Sequence, residues 1–268
     1  MSKESQVRFS AMRIGLIGSG NMARAMARGW GEPVLCTDSG SGSAQALVDE
    51  LGGERVASNR ELAERVDVVV LCHKPYQLDA VAEEIGGAAK VVASVLGGTN
   101  TGDLEGRFRP AQVFALMPNT PVEIRRGVVV YAQAERALAP VDAAVEAQVL
   151  ELFGRIGRIV TVPERLMGVA TAVCGVGPAY QALLAEAQVD AAVRKGLGSQ
   201  LASELVTATM SGSAALIEAK GYDTLAVRRE VTSPGGSTAR GLEALEAAGV
   251  RAAFQDAIEA VVNPPAGG

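Results

Sequence analysis

The chain has 268 residues, 48% of them hydrophobic and 21% charged, with 25 basic against 30 acidic side chains and a net charge of −5. That balance excludes a disordered chain, and the lack of any basic block argues against a general nucleic-acid or polybasic membrane binder. Aromatics at 4%, a single histidine (His73) and three scattered cysteines (Cys36, Cys72 and Cys174) argue against stacking platforms, a zinc or iron constellation, and a disulfide scaffold.

From the start of the chain, MSKESQVRFSAM is polar and lacks the apolar core of a secretory signal. Short β-rich runs then alternate with helical segments as far as Pro163. The runs are Arg13–Ile17, Pro33–Cys36, Asp67–Cys72, Lys90–Ser94, Gln112–Leu116, Gly127–Tyr131 and Arg158–Val162. Several are continuously apolar, the mark of strands buried on both faces, and their spacing predicts a parallel sheet with crossover helices. Helices are predicted at 21–30, 43–51, 60–65, 77–85 and 139–153. Beyond Pro163 alanine dominates, and helices are predicted at 178–195, 199–220, 238–248 and 251–262. The expected architecture is an α/β Rossmann-like domain over 1–163, followed by an all-helical domain over 164–268. No apolar run looks long enough to cross a bilayer, so a cytoplasmic protein with no membrane or nucleic-acid partner is expected.

Within the first half, RIGLI runs straight into Gly18-Ser19-Gly20-Asn21-Met22-Ala23, a G-x-G-x-x-A turn that opens a helix. Gly18 suits the tight turn, Gly20 leaves room for a pyrophosphate beside the backbone, and Ala23 lets helix and strand pack closely. Asp38 lies 18 residues after Gly20, where an acidic residue holds the adenosine ribose of NAD and repels a 2′-phosphate. The alternative is that Asp38 caps a turn, while Ser39, Ser41 and Ser43 could donate to a phosphate. These residues lean towards NADH and leave cofactor choice open.

Further strand ends carry Cys72-His73-Lys74-Pro75, Gly97-Gly98 and Met117-Pro118-Asn119-Thr120-Pro121. His73 reads first as a packing residue at a strand–helix junction. Lys74 could meet cofactor phosphates or be solvated. The MPNTP loop presents an amide and a hydroxyl between two prolines. In the helical half, Ser233-Pro234-Gly235-Gly236 breaks one helix and Ser237-Thr238 starts another. Exposed N–H groups there suit a carboxylate, or the segment is a capped connection.

Taken in order, GLIGSGNMARA, SNRELA, HKP, MPNTPVEIRRGVVVYA, GPAY and VTSPGGST resemble the pyrroline-5-carboxylate reductase family along nearly the whole chain. The resemblance implies a Rossmann domain and a helical domain that joins two subunits into a homodimer or larger homo-oligomer. It implies NADPH or NADH bound by Gly18, Ser19, Gly20, Asn21, Met22, Asn59, Lys74, Pro75 and Asn119, alongside Asp38 from its spacing. A substrate carboxylate would be held by Ser233, Gly236, Ser237 and Thr238, with the Thr238 hydroxyl assisting the ring nitrogen as the catalytic group and no metal involved. The implied reaction is reduction of the cyclic imine 1-pyrroline-5-carboxylate to L-proline in proline biosynthesis.

The chain departs from the family pattern in five places: Cys174 and Val176 replace two serines, His73 a valine, and Gly221 a glutamate, with Glu218 one turn earlier, while Asp38 falls where many members carry neutral or phosphate-binding residues. They keep open two alternatives, a reductase of a different cyclic imine and a catalytically weak nucleotide-binding regulatory protein.

Overall fold

The structure, a computed structural model, describes residues 12–133 and 141–263. The predicted helix start at 139 and the tail after Asn263 lie outside the described residues. Eight strands form one sheet: β1 (Ile14–Ile17), β2 (Val34–Thr37), β3 (Gly53–Arg55), β4 (Val68–Leu71), β5 (Val91–Ser94), β6 (Gln112–Pro118), β7 (Gly127–Gln133) and β8 (Gly157–Pro163). Their order is β3-β2-β1-β4-β5-β6-β7-β8, and the six strands from β3 to β6 run parallel. This is the doubly wound order with its crossing point between β1 and β4. The wholly parallel expectation fails at one place. β7 returns antiparallel to β6 through a tight 3₁₀ turn at Thr120–Ile124, too short for a crossover, and β8 then runs parallel to β7.

The helices of this first unit are α1 (Asn21–Trp30), α2 (Ser43–Leu51), α3 (Asn59–Arg65), α4 (Leu78–Ile85), α5 (Thr101–Phe108), α6 (Ala143–Gly154) and the short α7 (Met167–Ala170), which runs into a π turn at Thr171–Gly175. Strand residues alternate between two cores, as the period of two requires. Leu16, Val68, Val70, Phe114 and Leu116 pack with Met26, Trp30 and Phe153 on one face. Ile17, Val69, Leu71, Val92 and Val113 pack with Leu62, Ile85, Leu104 and Phe108 on the other. Strands β1, β4 and β5 are buried along their whole length, as their continuous apolar runs predict.

Compact units divide between Val176 and Gly177. The stretch 164–176, expected with the helical half, stays with the first unit because its groups bond back to the sheet. Asn119 Nδ2 donates to the Cys174 carbonyl, the Cys174 thiol lies 3.9 Å from the Val128 carbonyl, and Ala172 is buried.

The second unit is helical: α8 (Gly177–Arg194), α9 (Ser199–Ala219), α10 (Thr224–Glu230), α11 (Ser237–Ala247) and α12 (Val250–Val262). Tyr180 packs edge-on against Phe254, and α8 runs beside α9. Among its described residues Ala202 alone is buried. The stretch Glu164–Arg194, 31 residues with a mean hydropathy of 1.3 over its best window, is long and apolar enough by length and composition to cross a membrane. It is not a clear span, because a π turn at Thr171–Gly175 breaks it and it divides between the two units.

Candidate functional site

The crossing point of the sheet opens into a cleft of about 460 Å³. Gly18, Ser19 and Gly20 line it, together with Asp38, Asn59, His73 and Lys74. Gly18 adopts φ +91°, and a Cβ there would sit 2.7 Å from the His73 nitrogen, so the close approach of the β1 and β4 ends requires glycine. Ser19 is buried and donates its hydroxyl to the Thr37 carbonyl at 3.0 Å, tying the turn to β2. Gly20 is different, because a Cβ there would meet nothing within 4 Å. It is the N-cap of α1, with extended backbone and no side-chain cap. The first N–H groups of α1 therefore face open space, as an anion-binding helix start needs. An elongated dinucleotide with a pyrophosphate at Gly20 fits this cradle.

The cleft does not gather every expected residue. Asn21 begins α1 and is exposed, while Met22 turns down onto the core; neither lines the cleft, nor does Pro75. Asp38 faces its own loop. Its carboxylate accepts from Ala44 N–H at 2.9 Å and Gly40 N–H at 3.0 Å, with the Ser41 and Ser43 hydroxyls at 3.3 and 3.4 Å. Its side chain is 3% exposed. The turn-capping alternative thus describes the bonds Asp38 makes here, and the Ala44 N–H above all holds its carboxyl below the ordinary carboxylate range.

Asn59 is also engaged: Thr37 Oγ1 lies 2.6 Å from its Oδ1, and its Nδ2 donates to Glu84 at 2.6 Å. Asn119 sits apart from the cleft and locks a corner instead, accepting from Val128 N–H at 2.8 Å and donating to the Cys174 carbonyl at 3.3 Å. His73 places Nδ1 2.8 Å from the Lys74 carbonyl, so that nitrogen carries the hydrogen. Burial holds the imidazole below its ordinary value, and the neutral ring suits packing better than proton donation.

Sequence reasoning missed Glu84, Gln77 and Ala80, which line the cleft from the start and body of α4. Their signal is the helical spacing of small and polar residues between the core positions Leu78, Val81 and Ile85. A second, smaller cavity of about 190 Å³ lies beyond the ends of β5 and β6, lined by Gly98, Asn100, Met117, Glu164 and Thr171 among others. There the Glu164 carboxylate accepts from the Thr101 N–H at the start of α5, 2.5 Å away.

In the second unit, Ser233, Gly236, Ser237 and Thr238 come together at the turn between α10 and α11. Gly236 is the N-cap of α11, and no side chain caps that helix. A Cβ at Gly236 would collide with Ser233 Oγ, so the serine folds over the turn. Residues 164–265 match the family described as pyrroline-5-carboxylate reductase dimerisation, and residues 13–98 match the family described as NADP oxidoreductase, coenzyme F420-dependent. The pyrroline-5-carboxylate reductase of Synechocystis is 32% identical, over 93% of this chain and 96% of its own. That of Pseudomonas aeruginosa is 33% identical, over 94% and 95%.

The chain belongs to the pyrroline-5-carboxylate reductase family.

Solved structures agree. The Plasmodium falciparum pyrroline carboxylate reductase with NADP bound superposes with a TM-score of 0.82 at 29% identity, covering 94% of this chain and 95% of its own. A Coxiella burnetii pyrroline-5-carboxylate reductase gives 0.80 at 29% identity, covering 95% and 97%. As a member of this family, the chain follows the expected Rossmann-plus-helical plan. One of its departures has a local cause. Gly221, just past the Lys220 C-cap of α9, has φ +66°, a left-handed conformation that a glutamate enters only under strain.

Proposed function

We propose that the protein reduces 1-pyrroline-5-carboxylate to L-proline with NADH or NADPH, as the final step of proline biosynthesis. The observation that carries this reading is the open cradle at Gly20, in a chain about a third identical to pyrroline-5-carboxylate reductases over more than nine-tenths of its length. When bound, the reduced nicotinamide supplies a hydride to the imine carbon. The uncapped N–H groups of α1, from Asn21 and Met22 onward, hold the pyrophosphate between Gly18, Ser19 and Gly20, and Lys74 adds a positive charge after β4. Asn59 and Asp38 shape the ribose end. Pro75 and Asn119 set the strand-end loops, Asn119 through the corner it locks.

In the second unit, the N–H groups at Gly236 and Ser237 and the Ser233 hydroxyl receive the substrate carboxylate. The Thr238 hydroxyl bonds the ring nitrogen, which enters protonated from water as a cationic iminium and becomes a neutral amine when the hydride adds to the adjacent carbon. Little else is needed, because orientation and placed charge account for most of the rate in such a reaction. We assign residues 1–163 to cofactor binding and 164–268, of which 164–176 pack with the first unit, to substrate and to assembly of a homodimer or larger homo-oligomer. A cytoplasmic location accords with the three cysteines, all free thiols.

The test is oxidation of NADH and NADPH with 1-pyrroline-5-carboxylate and with six-membered cyclic imines, together with cofactor titration of Gly20→Val. Turnover of the five-membered substrate is expected, with cofactor binding lost in a Gly20→Val protein that still folds. Cofactor binding without turnover of any imine would leave the regulatory alternative. Preference for another ring would move the protein to a different imine.

A further inference from the structure

One wall of the cleft carries more negative charge than a ribose contact needs. Glu84, on α4, lines the cleft and accepts from the Asn59 N–H at 2.9 Å and from Asn59 Nδ2 at 2.6 Å. Asn59 is fixed in turn by Thr37 at the end of β2. The donors given to Glu84 by these bonds are thus neutral. Asp38, next to the Thr37 that holds Asn59, also lines the cleft, its side chain 3% exposed, and its nearest cation is Arg55, 4.0 Å away and outside the cleft lining. Among the described residues, Lys74 is the one lysine or arginine that lines the cleft. It adjoins His73, whose backbone touches Gly18, and so belongs to the pyrophosphate end.

NADH and NADPH differ by one phosphate, on the 2′-oxygen of the adenosine ribose. In a doubly wound sheet that ribose lies beyond the end of β2, which here means against Asp38, Asn59 and Glu84. We propose that Glu84, held in place by Asn59, acts with Asp38 to select NADH over NADPH, and that Glu84 is a specificity-determining residue no motif marks. The inference rests on the dinucleotide reading of the cleft.

The serine loop offers the competing arrangement, with Ser41, Ser43 and Arg55 seating the phosphate. That seat would have to be taken from Asp38. Both hydroxyls lie within hydrogen-bond reach of its carboxylate and Arg55 is its nearest cation, so turning them outward strips partners from a carboxylate with almost no access to water. A phosphate dianion placed beside it adds repulsion in a poorly solvated site.

The experiment titrates the full-length protein with NADH and NADPH by nucleotide fluorescence, at low and physiological salt, with no imine present. The wild-type Kd for NADPH is expected to exceed that for NADH by about tenfold or more, with the ratio shrinking as salt screens the wall. Glu84→Gln narrows the ratio several-fold, and Glu84→Lys moves it further towards NADPH. The Glu84→Gln network can persist, since a flipped Asn59 amide accepts from the new amide and donates to Thr37 Oγ1. Thermal melts confirm that each variant folds. Equal or tighter binding of NADPH by the wild type overturns the inference, as does a ratio that neither folded variant moves. Failure of both nucleotides to bind would instead overturn the reading of the cleft itself.

Discussion

The two units of this chain dispose of their apolar residues in opposite ways. In the first, leucine, valine and phenylalanine side chains from the sheet and its helices close two cores, and Leu16, Phe114 and Phe153 are among those fully buried. In the second, Leu183 is 64% exposed, Leu205 50% and Leu245 55%, and Ala202 is the only described residue buried. Similar apolar content gives a finished core in one case and an open face in the other. A parallel sheet covered by its own helices completes itself within one chain, whereas a few long alanine-rich helices need a second copy to cover them. The match of residues 164–265 to a dimerisation family supports that account.

The largest effect expected from this contrast separates the two kinds of burial. Phe153→Ala should cost about 3–5 kcal/mol, by lost transfer energy and an unfilled cavity, whatever the protein concentration. Leu183→Asp, in contrast, should leave the first unit's stability alone and abolish assembly, while the wild-type Tm rises with concentration. Sedimentation and concentration-dependent melting read both. An assembly unmoved by Leu183→Asp would show that this face of α8 is not the covered one.

A smaller effect concerns the turn of the open unit. Thr238 occupies the second position of α11 and does not cap it, since Gly236 is the N-cap and no side chain bonds there. Thr238→Ala should therefore change stability by less than about 0.5 kcal/mol. A lost bond to a nitrogen whose charge changes in the reaction should lower kcat by about 10- to 100-fold. Paired melting and turnover measurements separate these contributions. A parent rate in Thr238→Ala would remove the hydroxyl from the chemistry.

The closed unit was the more legible in sequence, because strands buried on both faces must be written in unbroken valine, isoleucine and leucine. The same rule hid β3, where Gly53-Glu54-Arg55 is exposed at the sheet edge and holds no apolar residue. Helix α5 was hidden by Gly102 and Gly106, although Asn100 caps it as a helix start should be capped. In the site, the backbone parts were readable and the side chains less so. Gly18 and Gly20 act through space and conformation that their spacing already implies. Asp38, Asn59 and Asn119 have amides and carboxylates that could turn either way. Their direction is settled by partners distant in sequence, such as Glu84 for Asn59 and Cys174 for Asn119.

Asp38 gives the smallest effect and the finest test of how the closed unit is pinned at its cleft. The Ala44 N–H, at the second position of α2, is its strongest partner and holds its carboxyl below the ordinary range. A carboxyl depressed in the folded state favours folding while it is ionised, so its contribution is whole above about pH 4 and is lost as pH falls through the folded value. Asp38→Asn keeps an oxygen to accept from Ala44 but loses the charge, and should cost less than about 1 kcal/mol at pH 7. That gap should close on acidification, since the wild type then carries a neutral carboxyl as well. The Arg13–Asp67 pair titrates in the same acid range but is common to both proteins, so it cancels in the difference. Urea unfolding of the two proteins from pH 7 down to pH 3 reads the effect directly. A gap that stays constant across that range would mean that Asp38 stabilises the loop by shape rather than by charge.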